Sequence, residues 1–331
     1  MVNDRLVIRS KKIPQCYLCG TQGKELYSGL TDRCYCAPGV WNLKQCQNKD
    51  CGLVWLDPMP LADDIGIAYK DYFTHQVSGK ELHKSLSQFM MDRLRQVLSA
   101  ATGFNAIKQA KRYQYLENEP VGKLLEVGCG AGGYLNLMRN RGWDVEGVDF
   151  DADAAKNANE QFGLKVHSSQ LEQINYPDGY FDAITMNHVI EHVFDPVKLL
   201  LECRRILKPT GCFVVITPNI NSFGHSLFKR NWFNFDPPRH VFLFSELSLR
   251  LLAGKTDFND CTIFTTSAIA EIVFRGSLCI RKVGKYDIKG ISSPLNAFEK
   301  LKAVLMQAHE TLRVKAEPGV GEEVVMISGS K

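Results

Sequence analysis

The sequence lacks the features that mark several classes of protein. Its longest apolar runs, such as CFVVI at 212–216, have only a few residues, whereas a helix needs about 20 to span a bilayer. No apolar core follows the opening segment MVNDRLVIRSKK, so we expect no signal peptide. Internal repeats and low-complexity tracts are also missing. These absences favour a globular protein without a membrane span, which we expect to be cytoplasmic.

The chain also lacks a strong excess of charge of either sign. Its 331 residues include 40 basic and 36 acidic ones, which gives a net charge of +4. So mild a balance does not demand a nucleic-acid partner. The length suffices for one large domain plus a small one, with a sizeable core.

Cysteine, in contrast, is abundant and clustered. Six of the 11 cysteines lie between Cys16 and Cys51, and the others are scattered through apolar surroundings. In an intracellular chain such clustering favours a metal over disulfides. Cys16 and Cys19 open the cluster, Cys46 and Cys51 close it, and a glycine follows each pair. Two such knuckles supply four thiolates for a tetrahedral Zn²⁺, which we predict to be structural.

Two observations leave the ligand set open. Four residues separate Cys46 from Cys51, where two are usual, and Cys34 or Cys36 could replace a member of the set. An iron–sulfur cluster and simple reduced thiols are the alternatives to zinc.

The chain divides into three predicted zones. Residues 1–60 form a turn-rich, zinc-ribbon-like module that ends in LDPMP. Residues 61–118 form a helical linker with apolar side chains at every third or fourth position, namely Leu82, Leu86, Phe89, Met90, Leu94, Val97 and Leu98. A second helix is predicted near 106–116. Residues 119–331 alternate strands and helices, which predicts a parallel α/β sheet that the segment EEVVMISG closes.

A glycine-rich turn follows the first strand of the third zone. The segment GCGAGG, Gly128–Gly133, matches G-x-G-x-x-G, and its glycines let the backbone approach a ligand closely. Glu126 precedes it and would repel a pyrophosphate but attract a cation. Asp149, 19 residues after Gly130, ends the next strand and can accept both hydroxyls of a ribose. Asp149 could instead cap the following helix, although Asp151 is better placed for that.

These motifs resemble those of class I S-adenosylmethionine-dependent methyltransferases. LLEVGCGAGGYL, VEGVDFD, YPDGYFDAITMNHVIEHVFDP and RRILKPTGCFVVITPN follow in the order and spacing of that family. The resemblance implies a Rossmann-like sheet of seven strands between helices, with the last strand antiparallel and a substrate-facing insertion at about 222–310. It implies S-adenosylmethionine as the cofactor. The residues that it assigns to the cofactor are Glu126, Gly128, Cys129, Gly130, Gly132, Asp149, Phe150, Ser169, Gln170, Asn187 and Tyr72.

Histidines follow the fourth strand of the predicted sheet, at the edge where open α/β sheets place their sites. His188 and His192 can titrate near neutral pH and act as bases. The segment NHVIEHVFDP is similar to that of quinone O-methyltransferases, some of which hold a divalent ion here. His188 takes a position that is acidic in those relatives. Two alternatives are left: His188, Glu191 and His192 could hold a metal ion, or Glu191 and His192 could have a purely structural role.

A third histidine lies in NWFNFDPPRHVFLFS, which resembles a W…D-x-P-R-H…F-S segment that faces the acceptor in relatives. His240 is therefore the first candidate for a general base, and Trp232 and Arg239 are predicted to line the acceptor site. Alternatively Trp232 belongs to the core and Arg239 pairs with Asp236.

The amino-terminal zone resembles the zinc-binding region of sugar C-methyltransferases and surface-polysaccharide methyltransferases. CYLCG, CGLVWLDPMP and YKDYFTH occur in the same order, which implies that Tyr69, Tyr72 and His75 lie near the active site. The expanded Cys46–Cys51 spacing and an end after the methyltransferase sheet depart from the C-methyltransferases. These departures favour O-methylation.

The sequence thus predicts a methyltransferase that acts on a small molecule or glycan, with transfer to a sugar or related hydroxyl and a histidine base. The alternatives are a sugar C-methyltransferase, a zinc-ribbon RNA methyltransferase and a non-catalytic cofactor-binding protein. The RNA methyltransferase is disfavoured because the positive charge of the lysines in the ribbon is offset by Asp32, Asp50 and Asp57. The acceptor and the oligomeric state, a homodimer included, are left open.

Overall fold

The computed structural model describes residues 7–70, 86–287 and 294–329. Its amino-terminal part is built from short strands, which are β1 (Ser10–Lys11), β2 (Gly23–Leu30), β3 (Trp41–Cys46), β4 (Val54–Leu56) and β5 (Met59–Pro60). β1 pairs with β5, and β2, β3 and β4 form an antiparallel sheet. The fully buried indole rings of Trp41 and Trp55 supply much of the apolar core that this small sheet covers.

Two helices follow a 3₁₀ helix at Ala62–Tyr69, namely α1 (Leu86–Thr102) and α2 (Phe104–Arg112). Gly103 separates them in a left-handed conformation with φ of +75°, which a side chain would disfavour. The predicted helices are therefore confirmed, but Phe89, Met90 and Val97 of the apolar stripe are more than half exposed. Leu82 lies outside the described residues.

The carboxy-terminal part is built on one large sheet. Its strands are β6 (Lys123–Val127), β7 (Asp144–Asp149), β8 (Lys165–Ser168), β9 (Phe181–Asn187), β10 (Leu207–Pro218), β12 (Cys261–Thr266) and β13 (Glu323–Ser328). They lie in the order β12-β13-β10-β9-β6-β7-β8. Only β13 runs antiparallel to its neighbours. This order confirms the predicted seven-stranded sheet, including its antiparallel closing strand.

Helices cover both faces of this sheet. They are α3 (Gly133–Arg139), α4 (Ala152–Phe162), α5 (Leu171–Ile174), α6 (Pro196–Ile206), α7 (Phe223–Phe228), α8 (Glu246–Lys255), α9 (Ala270–Val283) and α10 (Ala297–Ala316). The central strands accordingly bury nearly every side chain, as parallel strands between two helical layers do. None of the helices described here is both long and apolar enough to cross a bilayer.

One strand connects the two parts. β11 (Phe242–Leu243) belongs to the carboxy-terminal part by sequence, yet it pairs antiparallel with β4 and becomes the fourth strand of the amino-terminal sheet. The predicted zones 1–60 and 119–331 therefore share a sheet, and their boundaries stay predictions.

Candidate active site

The glycine-rich turn connects β6 to α3 at the carboxyl edge of the sheet. A Cβ atom on Gly128 would lie 2.2 Å from Val189 Cγ2, and φ is +73° there, so only glycine fits. The amide of Gly130 donates a 2.7 Å hydrogen bond to Asp149 Oδ2. The turn and the end of β7 therefore form one rigid unit.

Glu126 lies beneath this turn, at the end of β6. Gln114 Nε2 donates to its Oε1 at 2.9 Å, whereas its buried Oε2 has no hydrogen-bond partner within the described chain. Burial, together with the nearby charge of Asp149, raises the pKa of Glu126 to about 8. A buried carboxylate with one unsatisfied oxygen is a binding site for a cationic or hydrogen-bond-donating group.

Asp149 and Phe150 lie at the next position along the edge. Besides the Gly130 amide, the carboxylate of Asp149 accepts a 2.9 Å bond from the amide of Asp151. Asp151 itself caps α4 by accepting from two amides of its first turn, so the capping alternative for Asp149 is wrong. Phe150 is 63% exposed, and Tyr69 packs edge-to-face on it at 5.0 Å between ring centroids.

The other residues predicted to bind the cofactor lie around this unit. Ser169 and Gln170 follow β8, half-buried and exposed respectively. Cys129 is buried within the turn. Tyr72 and His75 lie outside the described residues, so their roles stay predictions.

Asn187 ends β9, and a lysine from α2 reaches it. Lys111 Nζ lies 2.7 Å from Asn187 Oδ1 and 2.5 Å from Glu323 Oε1. Glu323, the first residue of β13, is fully buried. The helical segment before the sheet therefore contributes a cation directly to the edge of the site.

His188 lies between two carboxylates. Its Nε2 is 2.7 Å from Glu323 Oε1 and its Nδ1 is 3.2 Å from Glu191 Oε1. Burial opposes the charge on the ring, but these hydrogen bonds outweigh it and raise the pKa of His188 to about 9. His188 thus already holds a proton at neutral pH.

His192 and His240 pack against each other, with ring centroids 4.6 Å apart. Burial and the neighbouring His240 lower the pKa of His192 to about 4, so its ring is neutral. Its Nδ1 is 3.1 Å from the carbonyl oxygen of Arg239 and 3.0 Å from the Tyr69 hydroxyl.

The orientation of His240 is set by a backbone carbonyl. Its Nδ1 lies 2.7 Å from the carbonyl oxygen of Asn234, and because a carbonyl only accepts, this nitrogen carries the hydrogen. In the neutral ring Nε2 therefore carries the lone pair, and this atom lies 4.0 Å from Glu191 Oε1 and from Asp236 Oδ2. The ligand atoms of Glu191, His192 and His240 lie within 4.8 Å of one another. For the metal alternative, the structure thus groups His240, rather than His188, with Glu191 and His192.

Arg239 and Trp232 do not line the acceptor site as predicted. Arg239 is completely buried, where Nη1 bonds Asp32 Oδ2 and the carbonyl oxygen of Ala68, both at 2.9 Å, and Nε bonds Asp236. The indole of Trp232 is 1% exposed and donates to Glu322 Oε2 at 2.9 Å. Both side chains hold the fold together, which corrects the sequence-based assignment.

The structure brings the four predicted cysteines together. The Sγ atoms of Cys16 and Cys51 lie 3.6 Å apart, those of Cys19 and Cys46 lie 3.3 Å apart, and all four lie within 4.8 Å of one another. A hydrogen bond from Cys51 lowers the pKa of Cys16 to about 5. A tetrahedron with Zn–S bonds of about 2.3 Å places its sulfurs about 3.8 Å apart, so the cluster fits this ion.

The two remaining cysteines of the cluster lie elsewhere. Cys36 is exposed, and Cys34 lies beside Asp32 and Asp236. Those two carboxylates are already paired with Arg239. Of the six clustered cysteines, the structure thus groups Cys16, Cys19, Cys46 and Cys51 in one place.

The cysteine module contacts the histidine cluster through backbone hydrogen bonds. Leu56 N in β4 donates to Val241 O at 3.1 Å, and Val241 N donates to Glu191 O at 2.8 Å. Tyr17, inside the first knuckle, donates from its hydroxyl to Asp195 Oδ1 at 2.5 Å. The segment with His240 is thus held between β4 and the turn that carries Glu191.

Sequence reasoning missed Lys111, Gln114 and Glu323. Lys111 and Gln114 belong to no motif and lie among other polar residues of a linker. For Glu323 a signal existed, because two glutamates open the otherwise apolar segment EEVVMISG, which was predicted to enter a buried sheet. A carboxylate at such a position needs a partner.

The sequence of this chain is similar to those of known methyltransferases. The family model described as a methyltransferase domain matches residues 98–263, half of the chain. A probable S-adenosylmethionine-dependent methyltransferase of Mycolicibacterium smegmatis is 32% identical over 34% of this chain and 44% of its own length. A ubiquinone biosynthesis O-methyltransferase of Cereibacter sphaeroides is 34% identical over 33% of this chain and 47% of its own length. The chain thus spans just under half the length of these curated relatives.

Among solved structures, a S-adenosylmethionine-dependent methyltransferase from Archaeoglobus fulgidus is similar over 68% of this chain and 94% of that one. Its sequence identity is 22% and its TM-score 0.45.

Proposed function

This chain belongs to the methyltransferase domain family, and on that premise we propose that it is an S-adenosylmethionine-dependent methyltransferase. The observation that carries the proposal is Glu126, a buried carboxylate with one unpartnered oxygen beside the rigid Gly130–Asp149 unit. The cationic amino-acid end of S-adenosylmethionine supplies the donor that Glu126 needs.

The remaining groups at this edge suit the rest of the cofactor. Asp149 is placed for the ribose hydroxyls, and the exposed ring of Phe150 offers a flat apolar surface for the adenine. When bound, the cofactor supplies an electrophilic methyl group, and the protein supplies binding, orientation and a route for the acceptor's proton.

We assign the base to His240. Its Nδ1 hydrogen is held by the carbonyl of Asn234, so in the neutral ring Nε2 carries the lone pair that takes a proton from a hydroxyl. The carboxylate of Glu191, 4.0 Å from Nε2, stabilises the imidazolium that results. His188 is already protonated, and the low pKa of His192 makes it a weak base, so both are poorer candidates.

We propose oxygen as the atom that is methylated and a sugar or related hydroxyl as the acceptor. A histidine base suits a hydroxyl, and one relative is named an O-methyltransferase. The sugar assignment rests on the resemblance of the cysteine module to that of polysaccharide and sugar methyltransferases. RNA methylation and C-methylation are the alternative outcomes.

We further propose that Cys16, Cys19, Cys46 and Cys51 hold a structural Zn²⁺. The four thiols are the complete ligand set of a closed site, which leaves no position for a substrate. The ion would fix the knuckles that support β4 and thereby the segment with His240.

Calorimetry with S-adenosylhomocysteine tests the proposal. Wild-type protein should bind it, and Glu126→Gln should bind at least tenfold more weakly because an amide, unlike the carboxyl group, cannot release a proton and pair as an anion with the ligand's ammonium group. The matched control is Glu160→Gln, an exposed residue of α4, whose affinity should equal that of the wild type. No binding by the wild type, or equal binding by both variants, would contradict the cofactor assignment.

A further inference from the structure

A cleft lies between the two helices before the sheet and the two helices that follow β12. Its volume is 490 Å³, within the range of small-molecule sites. Helices α1, α2, α9 and α10 each contribute to its wall. Its charged residues are Arg95, Lys108, Glu271 and Arg275.

The cleft adjoins the candidate active site through two elements. Lys108 precedes Lys111 by three residues on α2, about one helical turn, and Lys111 contacts Asn187 and Glu323. On the other wall, Ala268 follows the end of β12, where Thr266 pairs with Glu323. The cleft therefore lies one turn of α2 from Lys111 and begins two residues beyond Thr266, the residue of β12 that pairs with Glu323.

The charges of the cleft do not cancel. Arg95 is held by Glu271 through hydrogen bonds of 2.6 and 3.0 Å and by Asp92, outside the lining, through one of 3.1 Å. Arg275 Nη1 lies 3.6 Å from the same carboxylate, beyond hydrogen-bond distance. Among the described residues of the lining, three cationic side chains stand against one carboxylate, so this part of the lining is net positive.

We propose that this cleft binds the phosphate group of the methyl acceptor, which makes the acceptor a small phosphate ester. A guanidinium and an ammonium on facing walls are the groups that recognise phosphate, the first through paired N–H donors and the second as a point charge. An anionic group would balance the excess positive charge of this lining. The inference rests on the proposed methyltransferase function and adds the chemical class of its substrate.

Binding of a defined probe tests this assignment. Glucose 1-phosphate should bind the wild type in calorimetry, glucose should bind at least tenfold more weakly, and inorganic phosphate should compete with the ester. Arg275→Gln and, separately, Lys108→Gln should each weaken the ester at least fivefold. Affinity should also fall as salt is raised.

The control is Lys302→Gln, an exposed lysine on α10 that does not line the cleft. Its affinity for the ester should match the wild type. Lys108 is itself exposed, so its variant should fold even if loss of Arg275 disturbs the Arg95–Glu271 pair. Equal affinity for glucose and its phosphate, or no effect of either cleft variant, overturns the proposal.

S-adenosylhomocysteine, titrated in the same experiments, separates the two proposals. Every variant should bind it as the wild type does. If the wild type binds neither ligand, the methyltransferase function itself fails. If it binds S-adenosylhomocysteine but not the phosphate ester, only the assignment of the acceptor fails.

Discussion

The amide of Val241 donates a 2.8 Å hydrogen bond to the carbonyl oxygen of Glu191. This bond joins the turn after β9 to the segment that carries His240. Because Leu56 of β4 bonds the other side of Val241, the candidate base is positioned by the cysteine module as much as by the large sheet.

We expect removal of the metal to impair catalysis more than cofactor binding. Wild-type protein should contain about one Zn²⁺ per chain. Cys19→Ser should contain none and lose at least tenfold in turnover, because β4 and the His240 segment are no longer held, while its affinity for S-adenosylhomocysteine changes less than threefold. Metal analysis and paired activity assays check this.

Cys36→Ser is the matched control for the metal. Cys36 is exposed and lies apart from the four grouped thiols, so this variant should keep its zinc and its activity. Stoichiometric iron in the wild type, or zinc retained by Cys19→Ser, would show that the ligand assignment is wrong.

Asp149→Ala should reduce affinity for S-adenosylhomocysteine by roughly 100-fold, about 2.7 kcal/mol, because both the ribose acceptor and the anchor of the Gly130 amide are lost. Asp151→Ala removes only the cap of α4 and should cost about 1 kcal/mol in stability with unchanged affinity. Calorimetry and urea unfolding measure the two effects. Unchanged affinity in the Asp149 variant would refute the ribose assignment.

His240→Gln should lower turnover by roughly 10²- to 10⁴-fold, the usual contribution of a general base, and leave affinity for S-adenosylhomocysteine intact. His309→Gln, on the exposed side of α10, is the control and should behave like the wild type. Full activity of the His240 variant would transfer the role to His192.

The interaction of His188 with Glu323 should make the folded protein less stable as the pH rises above neutral. The pKa of His188 is about 9 in the folded protein against 6.5 when unperturbed, so its stabilising contribution is complete below pH 6.5 and disappears as the pH rises through 9. The free energy of unfolding should fall over that window by on the order of 3 kcal/mol.

Urea unfolding at several pH values between 6 and 10 measures this fall. Glu323→Gln removes one of the two partners of His188 and should flatten the dependence. Glu317→Gln, which changes an exposed carboxylate, should leave it as in the wild type. An identical slope in the Glu323 variant would mean that another group titrates.

The parts of the site that depend on local sequence could be predicted. The turn Gly128–Gly133 follows β6, and Asp149 is the last residue of β7. Both strands are visible in the sequence as apolar runs, and parallel strands bring their carboxyl ends to one edge of the sheet. The spacing of the cysteines likewise predicts that the thiols of Cys16, Cys19, Cys46 and Cys51 lie close together, as they do in the structure.

The parts that depend on distant pairing could not. Lys111 meets Glu323, which lies more than 200 residues later in the chain, and Arg239 meets Asp32 across a similar distance. The sequence around either residue of a pair does not identify its partner, because single charged residues are common on solvated surfaces. The sequence therefore predicts that Arg239 contacts the acceptor. In the structure the packing of two remote segments buries it instead.

The pairing of β4 with β11 also determines when the amino-terminal sheet can be completed during synthesis. Val54–Leu56 leaves the ribosome long before Phe242–Leu243, and until then its outer backbone groups have no strand beside them. All four grouped cysteines have been made by that stage, but the edge of β4 stays open to other chains. We therefore expect the nascent amino-terminal half to need protection against aggregation until Phe242–Leu243 has been made.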